Sequence, residues 1–66
     1  MKLAKGDFVE CVGTQWSYLT KGRVYQVNQE GLYRDSFEIT GDNGDELFCL
    51  YPSCAHGEWK KVENDK

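Results

Sequence analysis

The sequence has no long apolar run and no excess of positive charge. No segment approaches the length needed to cross a bilayer, and no apolar stretch typical of a signal peptide follows Met1. We therefore expect a cytoplasmic protein without a membrane partner. Lys and Arg number 8 against 11 Asp and Glu, which gives a net charge of −3. Phosphate backbones are bound by basic stripes, so this balance disfavours nucleic acid as the partner.

Cysteine is scarce and odd in number. The three cysteines are Cys11, Cys49 and Cys54, which fits a reducing compartment better than a disulfide framework. With His56 they could in principle form a zinc site, but the sequence contains no C-x₂-C pair and Cys49 falls within a predicted strand. The alternative is that Cys11 and Cys49 are small buried hydrophobes and His56 is an exposed loop residue. We expect no cofactor.

Catalytic motifs are missing as well. The sequence contains no glycine-rich phosphate loop, no paired-carboxylate motif and no HExxH. Ser53, Cys54 and His56 are neighbours on one short segment, whereas a nucleophile, its base and an orienting acid usually converge from separate segments. A chain of 66 residues also has little volume for an enclosed pocket. These features predict a protein that is not an enzyme.

Short aromatic and β-branched runs, separated by glycine-containing turns, are what the sequence does contain. Each of the runs 8–12, 24–27, 36–39, 47–51 and 58–62 is typical of a strand. Asn43 and Gly44 are expected to supply the positive φ angles of a tight hairpin turn. The sequence predicts one all-β domain over 1–66: a five-stranded barrel over about 5–62 and a polar tail over 63–66. A long loop follows the first strand, and a one-turn 3₁₀ helix over 52–57 precedes the last.

Alternation within these runs predicts which side chains face the core. The inward positions are Val9 and Cys11 in the first strand, Tyr25 and Val27 in the second, and Phe37 and Ile39 in the third. The run 47–51 is apolar on both faces. It is therefore expected to be covered on both sides, either by the barrel and the long loop or by a partner.

The order of these parts resembles an SH3-like barrel, a fold that includes Tudor and KOW-type modules. The local sequence is also similar to small phage and prophage proteins of unassigned function. The similar stretches are KGDFV at 5–9, LTKGRVYQV at 19–27, GDNGD at 41–45 and YPS at 51–53, followed by Trp59 and Val62. The resemblance implies a non-enzymatic binding role in the cytoplasm of a host cell. It also implies that the long loop after the first strand flanks the ligand groove.

Aromatic residues outnumber the needs of one small core. In one interpretation Trp59, Tyr25, Phe37 and Phe48 fill the barrel while Trp16 and Tyr18 close one end as a lid. In the other, exposed rings form a binding surface, since Tyr and Trp are enriched at interface hot spots. The candidate partner-binding residues are Trp16, Tyr18, Tyr33, Tyr51, Asp42 and Asp45. The resulting hypothesis is a module that binds a host or phage protein.

Two other functions stay open. A Tudor- or KOW-like nucleic-acid binder would use Lys21, Arg23 and Arg34 with aromatic stacking. An acidic DNA-mimic inhibitor would use the acids that cluster in the middle of the chain, namely Glu30, Asp35, Glu38, Asp42, Asp45 and Glu46. Because an unpaired strand edge attracts another chain, the oligomeric state is expected to be a monomer or an edge-strand homodimer.

Overall fold

The computed structural model describes residues 3–31 and 35–62, which form six β-strands and no helix. The strands are β1 (Phe8–Gly13), β2 (Val24–Gln26), β3 (Gln29–Glu30), β4 (Ser36–Thr40), β5 (Glu46–Leu50) and β6 (Glu58–Val62). The all-β class is confirmed, and five strands coincide with the predicted runs. Nothing in the described ranges could serve as a bilayer-crossing helix. The predicted polar tail, residues 63–66, lies outside the described residues.

The strands form two three-stranded antiparallel sheets, ordered β2-β1-β6 and β3-β4-β5. The chain passes from the first sheet to the second between Val27 and Asn28. The Val27 N–H donates to the Asp7 carbonyl at 2.7 Å, and the Asn28 N–H donates to the Glu38 carbonyl at 2.7 Å. Strands β2 and β3 are therefore two halves of one bent extended segment. The prediction of five strands was wrong because the second half lies where a turn was expected.

The predicted barrel does not close among the described strands, which stay in two separate sheets. The segment between β5 and β6 connects the two sheets, and its one β-bridge among the described residues is an isolated bridge from Ser53 to Glu58. The predicted one-turn 3₁₀ helix here is also wrong. Cys54 and Gly57 exchange main-chain hydrogen bonds of 2.9 and 3.2 Å, which closes a tight hairpin. A 3₁₀ turn would contain only the bond from the Gly57 N–H to the Cys54 carbonyl, whereas the return bond from the Cys54 N–H to the Gly57 carbonyl is typical of a β-hairpin. We call residues 52–59 the short hairpin.

The core lies between the two sheets and follows the predicted alternation. Val9, Cys11, Tyr25, Val27, Phe37 and Ile39 are all buried, together with Leu3, Leu19, Cys49 and Trp59. Trp59 is central, because Phe37 and Tyr25 both meet its ring edge-to-face, with ring centroids 5.6 and 5.9 Å away. Such aromatic pairs add about 0.5–1.5 kcal/mol each beyond the area they bury.

Phe48 is not a core residue, and the expectation that it fills a barrel was wrong. Its side chain is 57% exposed, and that of Leu50 is 47% exposed. Cys49, between them, is buried. Because successive side chains of a strand point to opposite faces, Cys49 faces the core while its neighbours face outward. The expectation that the barrel and the long loop cover this outer face is therefore wrong for the described residues. Its alternative, that a partner covers the face, stays a prediction.

The β4–β5 hairpin turns through a three-residue loop. The Gly44 N–H donates to the Gly41 carbonyl at 3.0 Å, and the Gly41 N–H donates to the Asp45 carbonyl at 2.8 Å. Gly44 has a φ of 89°, but Asn43 does not share the positive φ that was expected of it. Instead, the Asn43 Oδ1 accepts the Asp45 N–H at 3.1 Å. A glycine is needed at the last loop position alone.

Candidate functional site

Two aromatic side chains of the long loop form a stacked pair on the surface. The rings of Trp16 and Tyr18 lie 5.6 Å apart at an interplanar angle of 15°. Trp16 is 45% exposed, whereas Tyr18 is half-buried and packs against the core. His56 meets Tyr18 edge-on, with ring centroids 5.8 Å apart. We call Trp16 and Tyr18 the aromatic pair.

Hydrogen bonds attach the aromatic pair to the short hairpin. The Trp16 Nε1–H donates to the Ala55 carbonyl at 2.8 Å, and the Tyr18 hydroxyl forms a 2.9 Å hydrogen bond with Nδ1 of His56. The Thr14 hydroxyl donates to the His56 carbonyl at 2.8 Å. Because both rings are fixed through their polar atoms, they present their faces in one orientation. A ligand would find this surface already formed.

Gly57 permits this close approach of the loop to the short hairpin. A Cβ at this position would lie 2.6 Å from the Gly13 carbonyl oxygen and 3.3 Å from Cβ of Thr14. The first contact is with main chain, so it cannot be relieved by a rotamer change. Any side chain here would push the short hairpin away from the loop.

Asp42 holds the other end of the loop. Its carboxylate accepts hydrogen bonds from the Thr20 hydroxyl at 2.6 Å, from Arg23 at 2.7 Å and from the Tyr25 hydroxyl at 2.9 Å. Its own N–H donates to the Tyr18 carbonyl at 2.8 Å. The bonds from Thr20 and Tyr25 and the charge of Arg23 lower the pKa of Asp42 despite some desolvation. In this structure Asp42 therefore stabilises the conformation of the long loop.

An open groove lies beside the aromatic pair. It has a volume of about 300 Å³ and is lined by residues 13–15 and 53–58. Gln15 and Glu58 give its walls polar groups, and the half-buried Cys54 contributes a thiol. Burial opposes ionisation of this thiol, but main-chain hydrogen bonds from Leu50, His56 and Gly57 outweigh it and lower the Cys54 pKa. The groove is too open to exclude water from a reaction.

The structure brings together some of the predicted partner-binding residues and separates others. Trp16 and Tyr18 form one surface. Tyr51 is half-buried against the core, and its hydroxyl accepts the Lys61 N–H at 3.1 Å. Asp45 is exposed in the β4–β5 loop, where its carboxylate accepts a hydrogen bond from Asn43 at 3.2 Å. Tyr33 lies outside the described residues.

The candidate metal ligands do not converge. In the described part of the chain no three His, Cys, Asp or Glu side chains are placed to hold a metal ion. Cys11 and Cys49 are buried, as expected of small hydrophobes, and burial raises the pKa of both thiols. His56 is half-buried against Tyr18, not exposed.

The cations proposed for nucleic-acid binding are dispersed or neutralised. Arg23 forms a 2.7 Å ion pair with Asp42, and its guanidinium also lies 5.3 Å from the centre of the Tyr25 ring. Lys21 is exposed in the long loop. Arg34 lies outside the described residues. The ion pair reduces the positive charge that this loop can offer to a phosphate.

Sequence reasoning missed the residues that orient the aromatic pair. Ala55 contributes only its main-chain carbonyl oxygen, and every residue type has one, so the sequence could not single out this position. His56 was considered as a metal ligand, whereas the structure makes it the partner of Tyr18. The role of Asp42 did have a signal, because Tyr25 at a core position needs a partner for its hydroxyl.

Comparison with known proteins identifies no relative: the chain matches no protein-family model, no curated protein and no solved structure.

Proposed function

We propose that the chain is a small non-enzymatic protein-interaction module that binds an extended segment of a partner protein across the aromatic pair and the groove. One observation carries the proposal: Trp16 is a large aromatic side chain left 45% exposed yet fixed in orientation by a 2.8 Å hydrogen bond. Exposed rings of this kind supply contact area at little cost in conformational entropy.

The surroundings of the aromatic pair support the same function. The groove volume of about 300 Å³ suits one or two side chains of a ligand. Its open shape suits a chain passing over it and gives no enclosure for catalysis. The polar groups of Gln15 and Glu58 would fix the direction of the ligand, while Trp16 would supply most of the contact energy.

An SH3-like relationship and a phage or prophage origin belong to this proposal. The bent segment of β2 and β3, shared by two sheets, and the long loop lying beside the short hairpin support the first. The phage origin, the cytoplasmic location and the identity of the partner stay predictions. A protein partner is favoured over nucleic acid because of the net charge and the Arg23–Asp42 ion pair.

The test is selection from a random peptide library, followed by NMR titration of a selected peptide. The two tryptophans provide an internal comparison, because Trp59 is buried in the core. We expect the indole N–H resonance of Trp16 to shift strongly and that of Trp59 to shift little. Trp16→Ala should abolish binding and lower the free energy of unfolding by about 1 kcal/mol or less, because the ring is outside the core.

Val24→Ala is the matched control, since Val24 is 46% exposed on β2 and does not line the groove. It should bind the selected peptides as the natural chain does. Peptides that bind the Trp16→Ala variant equally well would contradict the proposal. So would a Trp16→Ala variant that unfolds, because Trp16 would then act in the core.

A further inference from the structure

A second surface, on β5, carries an independent inference. Strand β5 pairs with β4 on one side, and among the described residues no strand pairs with it on the other. The Tyr51 N–H donates to the Asp35 carbonyl, and the Gly41 N–H donates to the Asp45 carbonyl. These bonds fix the alternation along the ladder. The main chains of Glu46, Phe48 and Leu50 therefore point away from β4. The Leu50 main chain already forms a hydrogen bond with the Cys54 thiol, so the open edge is at Glu46 and Phe48.

The side chains of the same three residues lie on the outer face of the sheet. Phe48 and Leu50 are 57% and 47% exposed, and Ser36, Phe48, Cys49 and Leu50 line a shallow apolar hollow of about 260 Å³. An exposed apolar pair on a free strand edge is a site at which another strand adds. The backbone of Glu46 and Phe48 and the side chains of Phe48 and Leu50 are thus accessible to another strand.

Two acids indicate the charge of that neighbour. Glu38 lies directly opposite Phe48 in the ladder, and Glu46 lies two residues before Phe48 on the same face. Their carboxyl groups interact, and the hydrogen bond from one to the other, with desolvation and repulsion, raises the pKa of Glu38. Within the described ranges no lysine or arginine pairs with either one. A cation placed between them would relieve this repulsion.

We propose that β5 is a strand-addition site for an extended partner segment whose every second residue faces outward and which carries apolar and basic side chains together on that face. The partner's main chain pairs with Glu46 and Phe48. Its apolar side chains pack on Phe48 and Leu50, and its Lys or Arg side chains lie over Glu38 and Glu46. A second copy of this chain is disfavoured as the occupant, because it would bring its own acids to a face that is already acidic.

The probe is a peptide of about seven residues, the length of a typical strand, with valine at positions 1 and 3, lysine at positions 5 and 7 and threonine between them, so that valine and lysine share one face. A peptide with glutamate in place of lysine is the charge control, and a peptide N-methylated at alternate residues is the backbone control. We expect both controls to bind about tenfold more weakly or worse, because each loses a set of contacts. The E38Q/E46Q double variant should bind the lysine peptide about threefold to tenfold more weakly.

NMR should place the binding at Glu46–Leu50, and Trp16→Ala should leave it unchanged. This separates the inference from the proposed function, which fails or succeeds at Trp16. Equal binding of the N-methylated peptide, equal binding of the glutamate peptide, or a shift confined to the Trp16 indole would overturn the proposal. So would the absence of binding at millimolar peptide, or a β5-mediated dimer found by sedimentation, since the occupant would then be a second copy.

Discussion

Truncation of two phenylalanines in one hairpin should change stability to very different extents. Phe37 on β4 is fully buried and packs edge-to-face on Trp59, whereas Phe48 on β5 is 57% exposed. Phe37→Ala removes buried area, leaves a cavity and loses the aromatic pair, which together cost about 3–5 kcal/mol. A domain of this size has a free energy of unfolding of about 3–5 kcal/mol. The variant should therefore be largely unfolded.

Phe48→Ala removes the same atoms from an exposed position, so its free energy of unfolding should change by about 0.5 kcal/mol or less. The measurement is urea denaturation followed by circular dichroism. With a slope of about 1 kcal/mol per molar urea, Phe37→Ala should lose about 3 M or more in midpoint and Phe48→Ala about 0.5 M or less. A stable Phe37→Ala variant, or an equal loss for Phe48→Ala, would refute the assignment of β5's outer face.

Three further results are expected. Gly57→Ala should weaken peptide binding at the aromatic pair and lower the melting temperature, because its Cβ would lie 2.6 Å from the Gly13 carbonyl; an unchanged melting temperature would contradict this. The hydrogen bond with Glu46 raises the pKa of Glu38 above 4.5 in the folded state, so its contribution to stability is complete below pH 4.5 and is lost as pH rises through the raised pKa. Compared with Glu38→Gln, the natural chain should gain stability as pH falls from 7 into the range just above 4.5, and parallel pH curves would argue against it. A maleimide should modify Cys54 first, since its pKa is lowered while burial raises those of Cys11 and Cys49; mass spectrometry of peptides would show the order.

The alternation of short strands was enough to predict the all-β class and most of the core. It correctly placed Val9, Tyr25 and Phe37 inside, because in each of these strands a polar neighbour marked the outer face. The same reasoning failed at Phe48. The predicted run began at Leu47 and was apolar on both faces, so it did not show which face is exposed to water. Glu46, one residue earlier in β5, lies on the same face as Phe48 and was the signal that this prediction missed.

The candidate site could be predicted only as a set of rings. One interpretation made Trp16 and Tyr18 a lid over the core and the other made them a binding surface; the structure stacks the two rings, with Trp16 exposed and Tyr18 packed against the core. Their orientation depends on the Ala55 carbonyl and on His56, which are about 40 residues away and joined by tertiary contacts alone. Asp42 was expected to meet a partner, but three donors of this chain occupy its carboxylate.

The long loop connects the short hairpin with the β4–β5 hairpin through side-chain hydrogen bonds. It is fastened to the short hairpin that leads into β6 through Thr14, and to the tip of the β4–β5 hairpin through Thr20. Reshaping the loop would therefore loosen both hairpins at once. New specificity in this scaffold is more easily gained by changing Gln15 and Ser17, which are exposed and lie between the fastened positions.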